Sequence, residues 1–170
     1  WYPTKFSHAN HVVYIKPYDT YGAPYVGAVG HSGTEGNPIC FFNYPGEKPI
    51  LDCSKIVATQ PSPPNPGYAG GIEMDLANFI NIKGLTIRNI WQRGLYISCG
   101  GISVWGGSNI TIENCKVHDV SGEAYSCYVG GGYGEYGYSN IYYDTTKFIN
   151  CDAFNCLDTI NPKSNPGGWA

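Results

Sequence analysis

A chain of 170 residues with 42% hydrophobic and only 14% charged side chains can bury one core, and residues 1–170 are read as a single domain. Twenty-three Gly, 12 Pro and 15 Tyr against a single Met argue for turns and pleated strands and exclude a helical bundle. A formal net charge of −3 provides no basic stripe, so no nucleic acid and no membrane surface is expected as a partner, and no run of about 18 apolar residues marks a membrane span.

In chain order, the first strands expected are Val12-Val13-Tyr14-Ile15, Ile39-Cys40-Phe41-Phe42 and Ile50-Leu51-Asp52, short apolar runs bounded by Gly, Pro and Asn. Gln60-Pro61-Ser62-Pro63-Pro64-Asn65-Pro66-Gly67 reads as an extended, Pro-rich surface excursion. The next stretch, Phe79-Ile80-Asn81-Ile82-Lys83-Gly84-Leu85-Thr86-Ile87-Arg88-Asn89-Ile90, aligns 30 residues on with Asn109-Ile110-Thr111-Ile112-Glu113-Asn114-Cys115-Lys116-Val117-His118-Asp119-Val120. At the same offset Ile72-Glu73-Met74 falls on Ile102-Ser103-Val104. A third copy follows 36 residues later, with Phe148-Ile149-Asn150-Cys151-Asp152-Ala153-Phe154-Asn155-Cys156 over Ile112 to Val120. The six extra residues are assigned to the Tyr/Gly segment 125–143, expected as a loop. Its Gly130-Gly131-Gly132-Tyr133-Gly134 lacks the strand before it and the helix after it that a phosphate cradle needs. Tyr133, Tyr136 and Tyr138 are expected to cover the flank of the stack or to offer a surface on which sugars pack.

Strands this short, with alternating apolar residues, cannot bury their inner face alone and must stack on equivalent strands about 4.8 Å away. The repeat therefore predicts an all-β chain folded as a right-handed parallel β-helix of about five coils. Gly84, Asn114 and Asn150 fall in register, which predicts a corner with a left-handed or bridge-region backbone, and Asn side chains there are expected to hydrogen-bond along the helix axis. Cys115 and Cys151 are also in register and are expected to point inward above Leu85. The seven Cys make no metal cage by spacing; export disulfides and buried small hydrophobes are both open readings.

The phrases Ser32-Gly33-Thr34-Glu35-Gly36-Asn37-Pro38-Ile39 and Tyr44-Pro45-Gly46-Glu47-Lys48-Pro49-Ile50-Leu51-Asp52 resemble the early-coil signature of the right-handed β-helix polysaccharide lyases, specifically the pectate lyases of family nine. Asn150-Cys151-Asp152-Ala153-Phe154-Asn155-Cys156-Leu157-Asp158 is similar to that family's segment leading into its calcium site. The resemblance implies a secreted or cell-surface protein that cleaves an acidic polysaccharide by calcium-assisted β-elimination. An aspartate-held cation would acidify the proton α to the uronate carboxylate, and an unprotonated Lys or Arg would remove it. It implies Asp152 and Asp158 as calcium ligands, with Asp119 a weaker third. The alternative for each is a carboxylate capping a turn.

The base implied by the family lies beyond the aspartates. Lys163 is the only Lys after them, in the turn-rich Asn161-Pro162-Lys163-Ser164-Asn165-Pro166, where a solvated role is expected. The chain starts at Trp1 without an initiator Met and stops at Ala170, and is expected to be an inactive fragment lacking later coils. His8, His11 and His31 have no partners at zinc-ligand spacing, His118 aligns with Arg88 and Phe154 on a flank, and Asn109-Ile110-Thr111 is a glycosylation sequon. The competing function is a non-catalytic β-helix that binds glycan or builds a surface fibre, with end-to-end self-association through open strand edges.

Overall fold

The structure, a computed structural model, describes residues 12–15, 32–56, 67–95, 97–128 and 145–160. Among these residues ten strands follow in order: β1 (Val12–Ile15), β2 (Ile39–Asn43), β3 (Ile50–Asp52), β4 (Gly67–Lys83), β5 (Thr86–Ile90), β6 (Ile97–Glu113), β7 (Lys116–Val120), β8 (Glu123–Tyr128), β9 (Thr146–Ile149) and β10 (Asp152–Cys156). One sheet has the order β1-β2-β4-β6, with β8 and β9 both pairing onto β6; the other runs β3-β5-β7-β10. All strand ladders are parallel, so the chain winds as a parallel β-helix, five layers deep in the first sheet and four in the second. The three early strands lie where the sequence places them. The Pro-rich run before Gly67 and the triple-Gly stretch with Tyr133, Tyr136 and Tyr138 lie outside the described residues.

The repeat register is the observed register. Ile72 pairs with Ile102, Ile80 with Ile110, Ile112 with Phe148, and Val120 with both Ile90 and Cys156. Strand length differs from expectation, because β4 and β6 each run for 17 residues rather than three to five. Pairing between them continues around the bends of the coil, which small residues permit. At one bend Gly107 has φ +108°, and a Cβ there would strike the Ala77 carbonyl of the coil below.

Three further corners are marked by residues with positive φ, five positions apart in each of the three later coils. They are Phe79, Gly84 and Asn89; then Asn109, Asn114 and Asp119; then Thr145, Asn150 and Asn155. Each left-handed residue resets the in–out alternation, so the residue after it faces inward again. Between corners two of four residues are buried: Ile80 and Ile82, Leu85 and Ile87, Ile110 and Ile112, Cys115 and Val117. Each fully buried Ile or Val stabilises the stack by about 1.5–3 kcal/mol before ordering costs are subtracted. Stacking supplies the rest of the corner. The Gly84 amide donates to the Glu113 carbonyl at 3.0 Å, and the Asn114 amide to the Ile149 carbonyl at 2.9 Å.

The Asn side chains at this corner do not hydrogen-bond along the axis as expected, since Asn114 Nδ2 donates to Glu113 Oε1 in its own coil at 3.0 Å. Axial side-chain bonds form at the flanking corners, where Thr145 Oγ1 donates to Asn109 Oδ1 and Asn155 Nδ2 to Asp119 Oδ1, both at 3.1 Å.

The six-residue difference between copies is the net of two changes, a deletion before β8 and a larger insertion after it. Ile102 pairs with Tyr125, a spacing of 23 where the previous coil has 30, so this coil is seven residues shorter between β7 and β8 than its predecessor. From there to the Ile110–Thr146 pair it regains thirteen, a net of six. Residues 125–128 are therefore strand and not loop. Tyr125 occupies the position of Ile72 and Ile102, and its larger ring packs edge-on against Phe148 with centroids 5.5 Å apart.

Candidate functional site

The outer face of the β3-β5-β7-β10 sheet carries the chemistry that the sequence concentrates in its later coils. Residues one step out of phase with the core project from it in two rows. One row is Ile50, Thr86, Lys116 and Asp152; the other is Asp52, Arg88, His118 and Phe154. In the second row Arg88 Nε donates to Asp52 Oδ2 at 3.0 Å, and Asn89 Nδ2 donates to the same oxygen at 3.0 Å. Burial alone would raise the Asp52 pKa, but the bonds from Asn89, the Ser54 amide and Arg88 outweigh it and hold the carboxyl down at about 2.

His118, whose side chain is only 14% exposed, lies flat against Phe154, with centroids 4.7 Å apart and planes 5° from parallel. Its Nδ1 is 2.7 Å from Asp119 Oδ2, while Asp119 Oδ1 accepts from Asn155. The bond to His118 is the main reason the Asp119 pKa lies below the ordinary carboxylate range, followed by the bond from Asn155. Asp119 is thus engaged at its left-handed corner, and the carboxylate fixes the orientation of the imidazole.

Of the two calcium candidates, Asp152 projects into solvent, 69% exposed, with Lys116 Nζ at a loose 3.7 Å. An exposed pair at that distance contributes little stability and leaves the carboxylate available. Asp158 follows the last corner, where its Oδ1 accepts the Ile160 amide at 3.1 Å in a two-residue turn. Burial pushes the thiol of Cys99 up to about 12, and the Asp158 charge adds to that effect. Among the described residues no group of three His, Cys, Asp or Glu is close enough to hold a metal ion. The oxygen donors suit calcium in kind, but those described do not form a shell for it. Lys163, His8, His11 and His31 lie outside the described residues.

A second polar cluster, absent from the sequence reading, lies on the outer face of the first sheet. Tyr68 Oη is 2.8 Å from Ser103 Oγ, which also accepts from Ser126 Oγ at 2.9 Å, and Trp105 packs edge-on against Tyr68 at 5.8 Å. Ser103 is nearly fully buried, so its hydroxyl serves to link three successive coils. The alignment of Ser103 with Glu73 marked the outward position, but the shortened coil that brings in Ser126 was not visible.

Parallel stacking, Asn-rich left-handed corners and an inward aliphatic column define a parallel β-helix protein. Residues 4–170 match the family described as Pel9A-like, right handed beta helix region, and the chain belongs to that family. No curated protein and no solved structure matches it.

Proposed function

We propose that this chain is the β-helix of a pectate-lyase-like enzyme that cleaves an acidic, uronate-containing polysaccharide by β-elimination at the cell surface or after secretion. The match to the Pel9A-like β-helix family over residues 4–170 carries this reading. In such a reaction the proton α to the uronate carboxylate leaves, and the C4–O bond breaks to give an unsaturated product. An acidic protein acting on an acidic polymer needs a cation between them, and calcium is the one proposed. When bound it would offset the substrate carboxylate, with Asp152 and Asp158 the residues of this chain that would reach it. The β-helix contributes rigidity: Asp152 hangs on the ladder between β7 and β10, and being solvent-facing it needs little reorganisation to gain a ligand, while Asp158 follows two residues past the end of β10. No base is assigned among the described residues.

The protein containing this chain, incubated with polygalacturonate, is expected to give a calcium-dependent rise in the absorbance of the unsaturated product; a flat trace with and without calcium overturns the lyase reading for this substrate. Calorimetric titration with calcium is expected to show binding that weakens in Asp152→Ala and Asp158→Ala, and unchanged binding removes them as ligands.

A second reading is supported by Phe148 and Ala153, which hold the inward register of Ile112 and Val117 yet are exposed on the last described coil. They favour a rod that associates end to end, which concentration-dependent sedimentation would reveal.

A further inference from the structure

Seven cysteines are distributed over the coils, and all are free thiols. Only Cys115 and Cys151 stand at equivalent positions on adjacent coils. The following residues, Lys116 and Asp152, are Cα partners, and the preceding ones, Asn114 and Asn150, share the left-handed corner. The others face different residues: Cys99 pairs with Ala69, Cys127 with Val104, Cys156 with Val120 and Cys40 with Asn81 and Val12. Cys115 is buried and packs in the core cluster that Cys151 joins from its edge. Each Sγ points back to the carbonyl two residues earlier, Glu113 or Ile149, at 3.4 Å, so both leave the corner in the same direction. Strands in a parallel ladder lie about 4.7–4.9 Å apart, inside the 4.4–6.8 Å that a disulfide spans between Cα atoms.

We propose that Cys115 and Cys151 are a disulfide site joining two successive coils of the β-helix, formed by exchange with a small-molecule or protein disulfide. Two thiols become one disulfide, and the oxidant's disulfide becomes two thiols. Cys151, half-buried on the outermost described coil, attacks first: its thiolate displaces one thiolate from oxidised glutathione and forms a mixed disulfide. Cys115 then attacks the Cys151 sulfur, and the second glutathione leaves as thiolate. The second step is slow, because burial pushes the Cys115 thiol up to about 11 and keeps it protonated at neutral pH. The bond closes a loop that holds β7, β8 and β9, so it restrains the segment where the coil length changes most.

The test incubates the full chain with oxidised glutathione at pH 8.5, then blocks free thiols, digests without reduction and maps peptides by mass. A Cys115–Cys151 cross-link is expected, with a rise of several degrees in melting temperature that dithiothreitol reverses. In Cys115→Ala, Cys151 is expected to stop at the glutathione adduct. A wild-type protein that accumulates the same adduct without a cross-link overturns the proposal, as does a cross-link joining Cys151 to Cys127 or Cys156.

Discussion

The hydroxyl of Tyr125 donates to the backbone carbonyl of Cys115 at 2.9 Å, and lies 3.1 Å from the carbonyl of Asp152 in the next coil. One side chain thereby links the inner edge of β8 to the corner of the facing sheet. Burial raises the phenol pKa, and the neighbouring Cys151 and Cys115 add to that, so the group stays a neutral donor over the whole working range. Tyr125→Phe keeps the ring against Phe148 and loses only the hydrogen bond. The Cys115 carbonyl retains the Asp152 amide as a partner, so the expected cost is about 1 kcal/mol, seen as a melting temperature lower by about 2–4 °C. An unchanged melting curve would show that the hydroxyl carries no net stability.

Asn114 has φ +53° and Gly84 φ +73° at the same corner. Asn114→Ala is expected to destabilise by about 1–2 kcal/mol, because a Cβ without a polar side chain pays the left-handed penalty in full. Asn114→Gly should cost much less. Gly84→Ala should be the worst of the three, since its Cβ would run into the Asn43 side chain, which is held by a 2.9 Å bond to the Glu47 carbonyl. Urea midpoints in the order Asn114→Gly, Asn114→Ala, Gly84→Ala, from most to least stable, check this, and equal midpoints would refute the strain argument.

The corner at Gly84, Asn114 and Asn150 was legible because Gly and Asn are the residues that tolerate positive φ, and because three copies of the repeat could be laid over one another. The corner at Phe79, Asn109 and Thr145 was not, since Phe and Thr have no preference for that conformation and adopt it only where stacking on the adjacent coil imposes it. The shortened turn between Val120 and Glu123 was hidden for a related reason: a deletion and a larger insertion within one coil leave only their difference in the repeat spacing. Asp152 and Asp158 share one short acidic segment in the sequence, but the left-handed Asn155 stands between them. Separation along the chain says little about side-chain direction once a corner intervenes.

Asp52 gives the acid limb of stability a definite sign. Its folded pKa of about 2 is below the unfolded value of about 3.9, so its contribution is complete above pH 4 and fades as pH falls through 2. Asp119 is shifted in the same direction by His118 and Asn155. Melting temperatures measured from pH 5 to pH 2 should fall across this window. In Asp52→Asn the starting value should be lower and the fall shallower. A variant that parallels the wild type would mean that Asp52 does not couple folding to protonation.

The buried thiols act at the other end of the pH scale. Burial is the largest cause of raising Cys53 and Cys99 to about 12 and Cys115 to about 11, against about 8.5 in an unfolded chain. The unfolded chain therefore releases these protons first. Stability is fully present below about pH 8.5 and declines as pH rises toward 11. Cys99 offers a clean test, because its partner in the coil below is Ala69, a small residue that the same inward position already accepts. Cys99→Ala should lose some packing at neutral pH yet lose less melting temperature between pH 8 and pH 10.5 than the wild type. Native Cys99 should react with a thiol reagent only after urea is added. If Cys99→Ala and the wild type decline equally in alkali, the destabilisation arises elsewhere, and burial of this thiol does not set the alkaline limit of the fold.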